Sequence, residues 1–390
     1  MPDKPLTLML VAGEPSGDLL GAELMAALKD LTHGEVKIVG VGGEAMAREG
    51  LETLFDLSAT AIMGLQEVVP KIPEVLRRIR RAAEFAAATK PDAVVLIDSP
   101  DFTHRVAKRI RKIAPGIPTI NYVAPQVWAT RPGRAGKMAG YFNLVLALLP
   151  FEPPFFAGYG LKAVFVGHPA LARGKKMVGG ADFRARHAIP ADAPLLAVLP
   201  GSRAMEVRHL LPVFTDTMAI LKDKVPGLHA AIPAVPHVAE RIRQGAEHWP
   251  VPLTIVSGED EKFALFDAAD VALAASGTVT TELALSRTPM IVTYKVGALT
   301  AWIYRKLIGV KVRYYTLMNL ILDRLAVPEL MQEDCRPETV AAAVAKLLTD
   351  PAAAARQVAD QNEALRLMGE GADQPSRRAA RAILEFLGRQ

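Results

Sequence analysis

The chain has 390 residues and one cysteine, Cys335. A lone cysteine rules out an internal disulfide framework and a Cys-rich metal site, and it fits a reducing compartment. The eight histidines, His168, His187 and His209 among them, do not fall at metal-ligand spacing. No Asp-x-Asp triplet occurs, which excludes a metal-dependent sugar-nucleotide site of that type, and no cofactor is expected. No Gly-x-Ser-x-Gly elbow is present, against an α/β-hydrolase. No apolar run reaches the length of a membrane span. The most apolar stretch, residues 144–156, is broken by Pro150, Glu152, Pro153 and Pro154. The opening Met1-Pro2-Asp3-Lys4-Pro5 leads straight into an apolar run too short for a secretory signal, so a cytoplasmic protein is expected. Charge of one sign is also scarce: 46 Lys+Arg against 41 Asp+Glu leave a net +5, a modest excess whose meaning depends on clustering.

What the chain does have is alternation. Apolar runs at residues 6–12, 36–41, 93–97, 119–123, 143–148 and 163–166 read as strands, with helical stretches between most of them. After Gly167-His168-Pro169 the pattern restarts, with strands expected at 195–199, 229–232, 253–256, 271–274 and 290–293. Strands alternating with helices imply parallel sheets covered on both faces. The expectation is an α/β protein of two Rossmann-like domains facing across a cleft. Residues 1–170 are expected to form the first domain and 171–364 the second. The C-terminal helix, about residues 365–390, packs on the first domain or on a partner subunit.

Four loops carry chemistry. Pro200-Gly201-Ser202-Arg203 follows a buried strand and precedes a helix, with Glu206 one turn on. Gly permits close backbone approach, Ser offers a hydroxyl, and Arg presents a fork for phosphate oxygens. Ser276-Gly277-Thr278, with Glu282, repeats the layout later. Together they suggest a nucleotide-diphosphate site, with Arg203 and helix N-terminal amides on the phosphates and Glu282 on the ribose. The ordinary alternative is two turns capped by Ser or Thr. In the first half, Gly13-Glu14-Pro15-Ser16-Gly17-Asp18 is the matching turn, without the full dinucleotide glycine pattern. Gly40-Val41-Gly42-Gly43 suggests an acceptor pocket or tight packing. Asp98 ends a buried strand, where a carboxylate suits general-base work, although a helix cap fits Asp98 or Asp101 equally.

Two segments mix basic and apolar residues. In the first, Arg77, Arg78, Arg80 and Arg81 share an amphipathic helix with Val75, Leu76 and Ile79, after Ile62-Met63-Gly64-Leu65. In the second, residues 302–322, Arg305, Lys306, Lys311 and Arg313 lie among Trp302, Tyr304, Tyr314 and Tyr315. Either suits an anionic membrane surface. Neither resembles a nucleic-acid-binding motif.

The loops sit in a longer ordered series of motifs. In the first half these are Val11-Ala12-Gly13-Glu14-Pro15-Ser16-Gly17-Asp18, Ile97-Asp98-Ser99-Pro100-Asp101-Phe102, Tyr122-Val123-Ala124-Pro125-Gln126-Val127-Trp128-Ala129 and Leu148-Leu149-Pro150-Phe151-Glu152. In the second half they are Leu199-Pro200-Gly201-Ser202-Arg203, Ala275-Ser276-Gly277-Thr278 and Pro328-Glu329-Leu330-Met331-Gln332. In these motifs the chain resembles the lipid-A-disaccharide synthases, bacterial glycosyltransferases of the GT-B fold. The resemblance implies an inverting transfer from UDP-2,3-diacylglucosamine to 2,3-diacylglucosamine 1-phosphate, forming a β(1→6) bond and releasing UDP. It implies Asp98 as the base. It assigns Gly201, Ser202, Arg203, Glu206, Ser276, Gly277, Thr278, Glu282 and Asn319 to the donor, and Glu14, Ser16, Gly17, Met63 and Gln126 to the acceptor side. It implies no metal, no nucleic-acid partner, a monomer or homodimer, and a peripheral position on the inner face of the cytoplasmic membrane. The sequence departs from the family at Thr130, where a second Trp is usual, and at Val279-Thr280-Thr281, where smaller residues are common. A UDP-sugar 2-epimerase of the same fold and a non-catalytic nucleotide-sugar binder at the membrane surface are the alternatives.

Overall fold

The computed structural model describes residues 5–57, 65–297 and 313–389, with the backbone alone for 65–71 and 130. The chain forms two compact units, Met1–Pro169 with Gly371–Gln390, and Ala170–Glu370.

The first unit holds strands β1 (Leu6–Ala12), β2 (Val36–Val41), β3 (Ala93–Ile97), β4 (Thr119–Tyr122), β5 (Leu144–Ala147) and β6 (Ala163–Phe165). All pair in parallel, in the order β2-β1-β3-β4-β5-β6. The helices between them are α1 (Pro15–Leu31), α2 (Glu44–Arg48), α3 (Leu65–Thr89), α4 (Pro100–Ile113), α5 (Val127–Thr130), α6 (Arg134–Ala139) and α7 (Glu152–Ala157). Every residue of β3, β4 and β5 is buried. Strands apolar on both sides need cover on both faces, and the crossover helices supply it. In α3, Ile79, Ala82, Ala83 and Ala86 turn inward at helical spacing, while Arg77, Arg80 and Arg81 stay in solvent.

The second unit repeats the plan with β7 (Leu195–Leu199), β8 (His229–Pro233), β9 (Leu253–Val256), β10 (Val271–Ala275), β11 (Met290–Tyr294) and β12 (Glu329–Met331). Its helices are α8 (Gly180–Arg186), α9 (Ala204–Lys224), α10 (Pro236–Ala246), α11 (Glu259–Ala268), α12 (Val279–Leu285), α13 (Leu317–Leu322), α14 (Pro337–Thr349) and α15 (Pro351–Leu367). Alternate residues of β7 feed two separate cores. Leu196 and Val198 join one, and Leu195, Ala197 and Leu199 the other. The edge strand β12 was not expected from sequence; it spans three residues and begins with Glu329. The last helix, α16 (Pro375–Phe386), leaves this unit and packs on α1 of the first. Among the described residues no helix is long and apolar enough to cross a membrane.

Strand order fixes where ligands bind. The second sheet reads β9-β8-β7-β10-β11-β12, so the chain reverses its direction of travel between β7 and β10. In the first sheet the reversal falls between β1 and β3. Open α/β sheets bind ligands outside the carboxyl ends of the strands at such points.

Candidate active site

The loops singled out from sequence lie at both reversal points. β7 and β10 are direct neighbours, Leu199 opposite Ala274, so the Gly201 and Ser276 loops leave the sheet side by side. β1 and β3 are also neighbours, Ala12 opposite Ile97, which puts the Gly13–Asp18 turn next to Asp98.

In the second unit, Gly201 has φ +110°, and a Cβ there would lie 2.5 Å from Glu206 Cβ. Only glycine fits this position. Glu206 Oε2 accepts from the Ser202 and Arg203 amides at 3.1 and 3.2 Å, and Oε1 accepts from Arg203 Nη1 at 2.9 Å. Glu206 therefore braces the loop from within. The same contacts occupy two of the amides expected to reach phosphate. The Arg203 side chain remains 82% exposed. His237, in the first turn of α10, was not foreseen. Its Nε2 donates to the Ser202 carbonyl at 2.7 Å.

Ser276 donates its amide to Thr293 O, which ties the second loop to β11. A Cβ on Gly277 would meet nothing within 4 Å, so this glycine opens onto free space. Thr278 makes no side-chain cap bond. The simple capping explanation fails there. Glu282 is buried, with Oε1 paired to Arg173 at 2.7 Å and Oε2 to Lys262 at 2.9 Å. A carboxylate accepts about four hydrogen bonds, so roughly two directions stay open.

Asn319 has no exposure. Its amide nitrogen donates to Val327 O and Glu329 Oε1, and its oxygen accepts from the Ala326 and Val327 amides, all at 2.8 Å. All four of its bonding directions are spent inside the fold. Asn319 thereby fixes the segment leading into β12.

In the first unit, Asp98 and Ser99 take positive φ values of 53° and 43°. Two adjacent non-glycine residues in the left-handed region cost about 1–3 kcal/mol each. Contacts on several sides hold them there. Ser16 Oγ donates to Asp98 Oδ2 at 2.7 Å, and Ser99 Oγ donates to Glu14 Oε1 at 3.0 Å. Thr103 Oγ1 donates to the Asp98 carbonyl at 2.6 Å. Asp98 does not cap α4; Ser99 occupies that position without a side-chain bond. Asp98 Oδ1 accepts no hydrogen bond among the described residues. Gly17 packs 3.1 Å from the Ile97 carbonyl, measured from where its Cβ would be. Glu14, Ser16, Gly17 and Asp98 thus form one interlocked group. Gln126 is exposed at the start of α5, after β4. Met63 lies outside the described residues, as do residues 302–312 of the second basic segment and the Thr130 side chain.

Gly40, Gly42 and Gly43 serve packing, not a ligand pocket. A Cβ on Gly40 would strike Leu10 O at 1.9 Å, and on Gly42 it would strike Leu51 and Met46 at 2.7 Å. Buried Asp18 accepts from the amides of Gly43, Ala45 and Met46, anchoring α2 to α1.

The structure adds Glu152, which is 2% exposed at the start of α7. It accepts from Trp128 Nε1 at 3.2 Å and from the Leu148 and Leu149 amides at 3.0 Å. Burial raises its pKa to about 7 despite these donors. It joins the loop after β4 to the loop after β5. His104, partly buried, is lowered to about 4, first by burial and then by Lys108 and Arg134, and so stays neutral.

Residues 8–383 match the model of the family described as lipid-A-disaccharide synthetase. The chain belongs to that family. It is 47% identical to a lipid-A-disaccharide synthase of Rhodospirillum centenum over 98% of this chain and 95% of that protein. It is 44% identical to one of Paramagnetospirillum magneticum, covering 98% of each. Among solved structures it is similar to a UDP co-structure of Staphylococcus aureus MnaA, with TM-score 0.64 and 13% identity, covering 98% of this chain and 97% of that one. It is also similar to Acinetobacter baumannii MurG, with TM-score 0.58 and 15% identity, covering 98% and 100%. These two show the shared two-domain α/β fold. They do not choose between transferase and epimerase; family membership favours the transferase.

Proposed function

We propose that the chain is a glycosyltransferase that joins UDP-2,3-diacylglucosamine to 2,3-diacylglucosamine 1-phosphate. The 6-hydroxyl oxygen of the acceptor attacks the anomeric carbon, the bond from that carbon to the diphosphate breaks, and UDP leaves with the bonding electrons. Asp98 takes the hydroxyl proton. Ser16 holds one carboxylate oxygen and leaves the other to act. One displacement inverts the anomeric centre, so no covalent sugar-enzyme intermediate forms.

On this reading Gly201, Ser202 and Arg203 with Ser276, Gly277 and Thr278 receive the diphosphate. Arg203 offsets charge on the leaving group, worth about 10²–10³ in rate for one donor of this kind. The remaining directions on Glu282 suit ribose hydroxyls. Glu14, Gly17 and Gln126 line the acceptor side, and Met63 is assigned there by resemblance alone. The observation that carries the reading is the placement of both residue groups at strand-order reversals of two parallel sheets. An amphiphilic acceptor also requires reach to a membrane. The exposed Ile72 and Leu76, with Arg80 on the same helix, suit peripheral contact with an anionic surface.

The test mixes the purified protein with the acylated UDP-sugar, with and without the acylated sugar phosphate, and without added metal. UDP release that depends on the acceptor supports the assignment. Release without acceptor, or no release, contradicts it.

A further inference from the structure

A cavity of about 290 Å³ in the first unit is lined by Phe55, Arg77, Arg78 and Arg81. None of these residues serves the transfer described above. Arg78 is prearranged: its side chain is only 12% exposed, and it donates to the Asp56 carbonyl and to Glu74 Oε1. Its guanidinium lies 5.3 Å from the centre of the Phe55 ring. Arg77 and Arg81 stand one turn apart on α3 and both reach the same cavity. Like charges at this spacing repel. Glu74 is the counter-charge at hand, 2.8 Å from Arg78 and 3.9 Å from Arg77. Among the described residues, the cavity lining carries three guanidinium groups and no carboxylate. Convergence of this kind costs energy in the empty protein and repays it when an anion fills the space. Arginine forks match phosphate oxygens two at a time.

The cavity also has an address. The Phe55 ring packs edge-on against Phe102 at 6.5 Å, and Phe102 lies in the first turn of the helix that Asp98 and Ser99 introduce. The arginine cluster therefore adjoins the end of the first sheet where Asp98 sits.

We propose that this cavity binds a phosphate monoester carried by an amphiphile. Two sources present that chemistry, the phosphate of an acylated sugar phosphate and the headgroup of an anionic lipid. Only the first of these rests on the transfer reaction.

The test uses the full chain and the double variant Arg77→Gln/Arg81→Gln, with Arg48→Gln as a control for lost charge. Arg77 and Arg81 are exposed, so the fold survives, and an unchanged melting temperature verifies this. Glucosamine 1-phosphate is titrated in and followed by phosphorus NMR. In parallel, binding is measured to phosphatidylcholine vesicles with and without phosphatidate. Loss of two charge-assisted contacts predicts roughly 10- to 100-fold weaker phosphate binding, with the control unaffected. Weakening in the soluble arm, with a matching rise in acceptor KM, assigns the site to substrate. Weakening confined to phosphatidate vesicles assigns it to a lipid headgroup. Both support the proposal, and neither binding arm requires turnover, so they stand even if the transfer assignment fails. Equal binding by wild type and double variant in both arms overturns it, as does an equal loss in the charge control.

Discussion

Glu152→Gln should invert the order of stability between acid and mildly alkaline solution. The carboxyl is raised from 4.5 to about 7 by burial, with no ion-pair partner among the described residues. Between these values the folded protein holds a proton that the unfolded chain has released. This contribution is therefore fully present below 4.5 and is lost as pH rises to about 7. A displacement of that size corresponds to roughly 3 kcal/mol. Glutamine keeps the shape and removes the titration, but it has one acceptor oxygen where the carboxylate has two. It can serve the Leu148 and Leu149 amides or Trp128 Nε1, not both, and the lost bond costs about 1 kcal/mol. At about pH 4 the variant should be less stable by about 1 kcal/mol, and at about pH 8 more stable by roughly 2 kcal/mol. Urea unfolding of both proteins at the two pH values measures this directly. A stability difference that does not change with pH would show that the Glu152 carboxyl is not held protonated by the fold, and would refute the reasoning.

Gly201→Ala should disturb the donor half-site, because φ +110° and the approach of Glu206 leave no room for a Cβ. Strain of about 1–3 kcal/mol predicts a donor KM raised roughly 5- to 100-fold, read from steady-state kinetics. Asn319→Ala leaves the Ala326 and Val327 amides without their acceptor and should cost roughly 2–4 kcal/mol in urea unfolding. Ser16→Ala removes the donor that orients Asp98 and should lower kcat about tenfold. Donor KM should stay unchanged in that variant.

Much of this arrangement is legible in the amino-acid order. Runs such as Ala93–Ile97 and Leu195–Leu199 are apolar at every position, which marks strands covered on both faces. The Gly-containing loops that follow them identify the ligand edge. What escapes is whatever depends on a distant partner. Nothing local announces that Asp98 and Ser99 adopt positive φ, because the bonds that hold them come from Ser16 and Glu14 across the sheet. The glycines at 40, 42 and 43 look like a ligand turn, yet their neighbours are Leu10 for the first, Leu51 and Met46 for the second, and Asp18 and Leu57 for the third. Nothing local announces that β12 closes on Asn319, because β12 is too short and polar at its start to signal a strand. Glu152 reads as an interruption of an apolar stretch. Only the folded chain places Trp128 over it.

Asp98→Asn tests the central assignment most directly. Asparagine preserves the size of the side chain and its acceptor for Ser16, and removes the base. UDP affinity should stay within about threefold, while kcat for acceptor-dependent UDP release should fall by about 10²–10⁴. A variant that keeps its turnover, or that loses UDP affinity and turnover in equal measure, would contradict Asp98 as the group that activates the acceptor.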